Sequence, residues 1–381
     1  MTDLTAGVVA TYRKPDEQRL AIHPQHIARI AEPLRRRLFF ERGYGERFGM
    51  SDATLEPLVG GLRSREELSA ECDILILPKP LAEDLEGLRP GQVVWGWPHC
   101  VQDERMTQLA IDHRLTLIAW EAMNHWTSGG AFSVHVFHKN NELAGYCSVL
   151  HALTLRGSTG DYGRRLRAAV ISFGATARGA VRALSAFGVS DVTVLTQRQP
   201  SAVASPFASV VLQHFERDPA HPGRVLALKD PEPGPLAEVL AGYDIVVNCI
   251  LQDTDDPLTF VTNEDLPRFA PGTLFVDVSC DEGMGFEWAS PTSFAAPMVE
   301  LGGGLHYYAV DHSPSYLWNS STWENSNALL EYLPTVLAGP AAWDAEETIR
   351  RAIEIREGVV QNPRILSFQD RGAAYPHVVG G

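Results

Sequence analysis

The chain has 381 residues, 45% hydrophobic and 21% charged, an ordinary globular usage that excludes a largely disordered, collagenous or coiled-coil protein and corresponds to about two domains. Its 32 basic and 47 acidic residues leave a net charge of −15, which disfavours a broad electrostatic grip on phosphate backbones or anionic lipid, so neither nucleic acid nor a membrane is expected as partner. Cys72, Cys100, Cys147, Cys249 and Cys280 are scattered, with no CxxC pair, so neither a disulfide framework nor a zinc knuckle is expected. His125, His135 and His138 have no defensible ligand spacing, so no metal is expected. The first residues (MTDLTAGVVATYRKP) lack the basic start and apolar run of a signal peptide, and no apolar stretch approaches a bilayer span. A reducing cytoplasm is the expected location.

Gly7–Tyr12 reads as a strand, and the apolar spacing of His26–Leu38 predicts a helix. Short apolar runs follow at Cys72–Leu77, Gln92–Trp97 and Thr116–Ala119, ending in Pro78-Lys79-Pro80, Pro98-His99 and Trp120-Glu121. Short apolar strands alternating with helical stretches predict a parallel α/β sheet, in which ligands sit beyond the carboxyl ends of the strands. Lys79, His99 and Glu121 each follow such a strand and are expected to face one crevice. The tryptophans Trp95, Trp97, Trp120 and Trp126 read mostly as packing.

Leu143–Leu155 is predicted helical. Next come a strand at Arg167–Phe173, a turn at Gly174–Arg178, a helix at Gly179–Phe187 and a strand at Asp191–Leu195, together a mononucleotide-sized βαβ unit. Polar, Pro-rich Gln199–Gly234 reads as loops or short helices. Strands are predicted again at Tyr243–Ile250, Gly272–Ser279 and Gly304–Ala309, and two helical stretches between Trp323 and Glu357 are expected to cross back to the first domain.

Ser172-x-Gly174-x-x-Ala177 stands where a dinucleotide fold has G-x-G-x-x-G/A, so Ser172, Gly174, Ala175, Thr176 and Ala177 are expected at a pyrophosphate. The alternative is an ordinary turn in which Gly174 and Gly179 only relieve crowding. About twenty residues on, where NAD sites carry an acidic residue, stand Thr196, Gln197 and Arg198. A hydroxyl and a cation suit a 2′-phosphate, so NADP(H) is favoured over NAD(H). Arg198 could equally be a solvated loop residue.

Several segments together carry a family resemblance: Arg13-Lys14-Pro15-x-Glu17-Gln18-Arg19-Leu20-Ala21-Ile22-His23-Pro24, Leu77-Pro78-Lys79-Pro80, Gly96-Trp97-Pro98-His99-Cys100, Ile118-Ala119-Trp120-Glu121, Asp277-Val278-Ser279-Cys280-Asp281 and Val310-Asp311-His312-Ser313-Pro314-Ser315. In this order, across nearly the whole chain, they resemble the alanine dehydrogenase and pyridine nucleotide transhydrogenase superfamily. Within it the chain looks closest to the carboxyethylornithine synthase and lysine-forming saccharopine dehydrogenase branch. It departs from the family pattern at Ser172 and in continuing through Asn362–Gly381.

The resemblance implies an α/β fold of two doubly wound, Rossmann-like parallel-sheet domains with the active site in an interdomain cleft. Residues 1–134 and 317–381 would form the substrate domain and 135–316 the dinucleotide domain. Arg19 matches the arginine that binds the substrate carboxylate, Lys79 the lysine that holds the carboxylate or oxo group, and His99 the catalytic histidine. Asp281 matches the acid that assists proton chemistry beside the nicotinamide. Glu121 is expected near the substrate, or as the anchor of a neighbouring loop. Cys249, Ile250 and Leu251, together with Asp311 and His312, are expected on the cofactor side, with helix capping as the alternative for Asp311. Arg19 could instead pair with Glu17 on the surface.

The implied activity is NADP(H)-dependent condensation of a 2-oxo acid such as pyruvate with the amino group of a basic amino acid such as ornithine or lysine. Two other readings stand beside it: alanine dehydrogenase-like chemistry with ammonia, and a non-catalytic cofactor-binding protein. The expected partners are small molecules and further copies of the same chain.

Overall fold

The computed structural model describes residues 4–198, 210–221, 223–228, 232–253 and 256–380. The chain divides into two compact units, one of Met1–His138 with Trp318–Gly381, the other of Lys139–Leu317.

In the first unit, short and mostly apolar runs become parallel strands: β1 (Ala6–Val8), β2 (Leu38–Glu41), β3 (Gly61–Arg63), β4 (Ile74–Ile76), β5 (Val93–Gly96) and β6 (Thr116–Ala119), of which β1, β4, β5 and β6 are buried throughout. The sheet runs β3-β2-β1-β4-β5-β6, extended by the late strands Ile353–Arg356 and Val359–Val360. Strand order therefore reverses between β1 and β4, and such a switch point opens a crevice beyond the strand ends. The helix α1 (Arg65–Glu71) starts in a capping box in which the Ser64 hydroxyl and the Glu67 carboxylate satisfy each other's backbone amides. A further helix, α2 (Glu104–Asp112), follows β5.

The helix predicted over His26–Leu38 breaks into a 3-10 turn (Pro24–Arg29), a single α-turn (Glu32–Arg35) and strand β2. Pro33 explains the break, because its ring cannot follow a helical turn and Ile30 and Ala31 before it are extended. Leu38 and Phe40 then pack into the core as strand residues.

The second unit is built on β7 (Arg167–Ile171), β8 (Asp191–Thr196), β9 (Val210–Arg217), β10 (Val225–Ala227), β11 (Gly234–Pro235), β12 (Ile245–Asn248), β13 (Leu274–Asp277), β14 (Met298–Gly302) and β15 (Leu305–Tyr308). Their order is β11-β10-β9-β8-β7-β12-β13-β15-β14, parallel from β9 through β15 and antiparallel at both edges. Of Gln199–Gly234, residues 199–209, 222 and 229–231 lie outside the described residues. The rest contains β9, β10 and part of β11, strands where loops or short helices were expected; Phe215 is the one fully buried side chain of β9, so the segment looks polar.

Helices α3 (His138–Arg156) and α4 (Ala175–Ala186) touch backbone to backbone within this unit. A Cβ on Gly179 would lie 1.7 Å from the Glu142 carbonyl oxygen, and one on Gly145 1.9 Å from that of Thr176. Gly179 is thus a packing glycine, while the helix itself begins at Ala175, earlier than predicted. The late segment contains the helix α5 (Trp318–Leu330) and three shorter helices before Ile353–Arg356 joins the first sheet beside β6. Among the described residues no helix is long and apolar enough to cross a membrane.

Candidate active site

In the first unit the loops after β1, β4, β5 and β6 leave the same edge of the sheet and carry Arg19, Lys79, His99 and Glu121. Gly96 sets the spacing of two of these loops. A Cβ there would lie 1.9 Å from the Leu77 carbonyl oxygen, so only glycine lets the two strand ends close, with Trp97 N donating to Pro78 O at 2.9 Å. As a result Lys79 Nζ stands 2.7 Å from His99 Nε2. An ammonium can only donate, so Nε2 accepts and the ring proton belongs on Nδ1. That atom faces Glu121, 3.8 Å from its Oε1, which also accepts from the His99 backbone N at 2.7 Å.

The other Glu121 oxygen, Oε2, is buried without a hydrogen-bond partner. Burial first, and then the nearby Glu354 carboxylate, push the Glu121 carboxyl up to about 8. Of the two roles expected of it, Glu121 takes that of loop anchor, holding the His99 backbone through one oxygen, and it also brings a titratable group beside the Lys79–His99 pair.

Arg19 pairs with Glu17 through Nε (2.8 Å) and one terminal nitrogen (2.6 Å), but the pair is buried, at 3% and 7% exposure, not on the surface. The guanidinium lies over Trp97, 5.0 Å from its centroid, and Trp97 packs edge-on to Trp120. The pairing of Arg19 with Glu17 thus holds, but in the interior, where Glu17 fixes the guanidinium plane. Trp95, Trp97 and Trp120 are core residues, as expected, and Trp126 lies under Arg351.

In the second unit the residues expected at a cofactor follow adjacent parallel strands. Ser172 adopts φ 78°, the left-handed region usual for glycine, so the turn keeps a glycine-like backbone despite the substitution. Gly174 is the N-cap of α4 with no side-chain cap, and a Cβ on it would meet nothing within 4 Å. The open space over Gly174 and the first-turn amides of Ala175, Thr176 and Ala177 suit an anion such as a dinucleotide pyrophosphate. After β8, Thr196 is buried and its Oγ1 accepts from Arg198 N at 3.1 Å, whereas the Gln197 and Arg198 side chains are exposed.

After β12, Cys249 is buried, Ile250 is half-buried and Leu251 is 94% exposed. After β13, Cys280 takes φ 56° and is followed by Asp281, whose carboxyl burial shifts upward. After β15, His312 is buried with Nδ1 2.5 Å from Asp311 Oδ1. Asp277, at the end of β13, was not singled out by its residue type, yet it anchors this edge. It accepts from Asn248 Nδ2, Cys280 N and Tyr307 OH, and burial pushes it up to about 7. Among the described residues no three His, Cys, Asp or Glu side chains group as a metal site.

Two family models match the chain, the N-terminal domain of alanine dehydrogenase/PNT over residues 7–144 and its C-terminal domain over 164–363. An N(5)-(carboxyethyl)ornithine synthase of Clostridium botulinum is 25% identical over 84% of this chain and 90% of its own length. An alanine dehydrogenase of Mycobacterium tuberculosis is 24% identical over 94% and 95%. Among solved structures, an L-alanine dehydrogenase superposes with TM-score 0.76 at 17% identity, covering 96% of this chain and 99% of the other. A transhydrogenase from Sinorhizobium meliloti gives 0.70 at 20%, covering 94% and 99%. With both domains matched in order, the chain belongs to the alanine dehydrogenase/PNT family of nicotinamide-nucleotide oxidoreductases.

Proposed function

We propose that the protein is an NADP(H)-dependent opine-type oxidoreductase acting on a carbon–nitrogen bond, similar in activity to a carboxyethylornithine synthase. It would condense a 2-oxo acid such as pyruvate with the amino group of a basic amino acid and reduce the product to a secondary amine. The observation that carries this reading is the Lys79–His99 pair at 2.7 Å, backed by a protonatable Glu121. The residues of Met1–His138 with Trp318–Gly381 would handle the substrate and those of Lys139–Leu317 the dinucleotide.

The chemistry sets the tasks of each group. The amine adds to the oxo carbon, the carbon–oxygen bond breaks as water leaves, and the resulting imine takes up hydride at carbon. Arg19 would hold the carboxylate of the oxo acid, its plane set by Glu17 and Trp97. Lys79 would hold the oxo group, and His99 would give the proton that lets water depart and recover one from the amine. Asp281 would assist that proton transfer. A bound nicotinamide would supply the hydride. The turn Ser172–Ala177 fits its pyrophosphate, Cys249–Leu251 and Asp311–His312 would border it, and the exposed Arg198, with no carboxylate at the end of β8, supports NADP(H) over NAD(H). The net charge of −15 suits a cationic amino substrate.

NADPH and NADH oxidation would be followed with pyruvate or 2-oxoglutarate, crossed with ornithine, lysine, arginine and ammonia, and products identified by mass. A rate that requires an amino acid and yields the condensed secondary amine is expected. The second reading, reductive amination with ammonia, is favoured by the relatives named alanine dehydrogenase. A rate with ammonia alone would replace the first reading by the second.

A further inference from the structure

His99 stands in a left-handed backbone conformation, φ 50°, which a non-glycine residue adopts at a cost of about 1 kcal/mol or more. Such a turn persists where its surroundings hold it. Part of that hold is local, since the His99 carbonyl accepts from the backbone amides of Gln102 (3.2 Å) and Asp103 (3.1 Å). Glu121 Oε1 accepts from the His99 backbone N at 2.7 Å, and a further hold comes from the far end of the chain.

The carboxamide nitrogen of Gln369 donates to the Cys100 carbonyl at 2.6 Å and lies 3.2 Å from that of Val101, the two carbonyls directly after His99. Thr107 Oγ1 donates to the same Cys100 oxygen at 2.8 Å. Gln369 is 3% exposed, and its own oxygen accepts from Arg371 Nε at 2.6 Å. Arg371 in turn donates to Gln108 Oε1 at 2.8 Å and to the carbonyls of Glu104 and His377 at 3.3 Å. The buried His377 closes the clamp by accepting from Val360 N at 3.1 Å. Gln369 and Arg371 both lie beyond residue 363, where the family match ends.

We propose that Gln369 is a positioning residue for His99: its carboxamide fixes the Cys100 and Val101 carbonyls and so locks the turn that carries the imidazole to Lys79. This rests on the reading of Lys79 and His99 as the proton-handling pair. Gln369 touches no reacting atom, so its effect travels through the backbone of residues 99–101. Buried donors that satisfy loop carbonyls act in this way because an orphaned carbonyl forces the loop to move or lose a hydrogen bond.

The test uses the full chain and two variants. Gln369→Glu keeps the shape and the acceptor for Arg371 but points a carboxylate at two carbonyl oxygens, and Gln369→Leu removes donor and acceptor together. The imidazole of His99 is followed by nitrogen NMR through a pH titration, assigned by its loss in His99→Gln. Lys79→Met, which lacks the 2.7 Å partner, supplies the reference for an imidazole without its lysine, and the wild type is expected to differ from it. Both Gln369 variants are expected to shift the titration to the Lys79→Met position. Turnover should fall about tenfold with KM for the oxo acid unchanged, the pattern of a misplaced proton carrier.

A wild-type His99 titration in either variant, with or without a lower melting temperature, overturns the proposal by making Gln369 only a structural residue. Failure of the underlying reading appears elsewhere, as wild-type turnover in His99→Gln. The imidazole titration of the Gln369 variants still decides the positioning role in that case.

Discussion

The two sheet edges share a topology and work by opposite means. Along the first, after β1, β4, β5 and β6, the proposed substrate groups are side chains held by other side chains: Arg19 by Glu17 and Trp97, His99 by Lys79 and Glu121. Along the second, after β7, the turn offers backbone amides and space, with a bare Gly174 and a serine forced into a glycine conformation. A glycine therefore means different things at the two edges. Gly96 is there because two loops must close, whereas the space over Gly174 is open and would admit the proposed dinucleotide.

That contrast can be broken by adding one methyl group at each place. Gly96→Ala drives a Cβ to 1.9 Å from a carbonyl oxygen and should destabilise by about 3 kcal/mol or more, read by urea unfolding, with turnover lost alongside. Gly174→Ala adds a methyl to open space at an ordinary φ, so unfolding should move by less than about 1 kcal/mol while the NADPH dissociation constant rises about tenfold or more. Equal stability losses in the two variants would erase the distinction. A smaller effect is expected at Arg198→Ala, where NADPH binding should weaken about tenfold and NADH binding stay as it is, measured by calorimetric titration. Equal loss for both dinucleotides would remove Arg198 from 2′-phosphate recognition.

The smallest effect sharpens the electrostatics of the first edge. Glu121 is held at about 8 when folded against an ordinary 4.5, so the folded state binds its proton more tightly. Its contribution to stability is complete below about 4.5 and is lost as pH rises through about 8. Glu121→Gln should flatten the decline of unfolding free energy over that range. Glu354→Gln, which removes one like charge while Lys79 and His99 remain, should move the midpoint of the Glu121 titration downward. Parallel wild-type and Glu121→Gln stability curves would contradict the assignment.

The placement of Lys79, His99 and Glu121 along one edge is legible in the sequence because each follows a short apolar strand and stands beside a stiff or bulky neighbour: Pro78-Lys79-Pro80, Pro98-His99, Trp120-Glu121. What holds the groups is much less legible. Gln369 meets Cys100 across 269 residues, and no local pattern announces a contact of that range. Glu354 is hidden in the same way, as the residue where the register of Ile353–Arg356 shifts against β6. The failed helix over His26–Leu38 has a local cause, Pro33, which interrupts an otherwise helical apolar spacing. Ser172 shows the converse: the residue type departs from the glycine pattern while the backbone keeps it.

The division of labour between the edges is tested most directly by measuring turnover and NADPH affinity together in His99→Gln and Lys79→Met. The account predicts turnover reduced about a hundredfold or more with the NADPH dissociation constant within about twofold of wild type. Turnover near the wild-type rate, or cofactor affinity lost in step with activity, would contradict it.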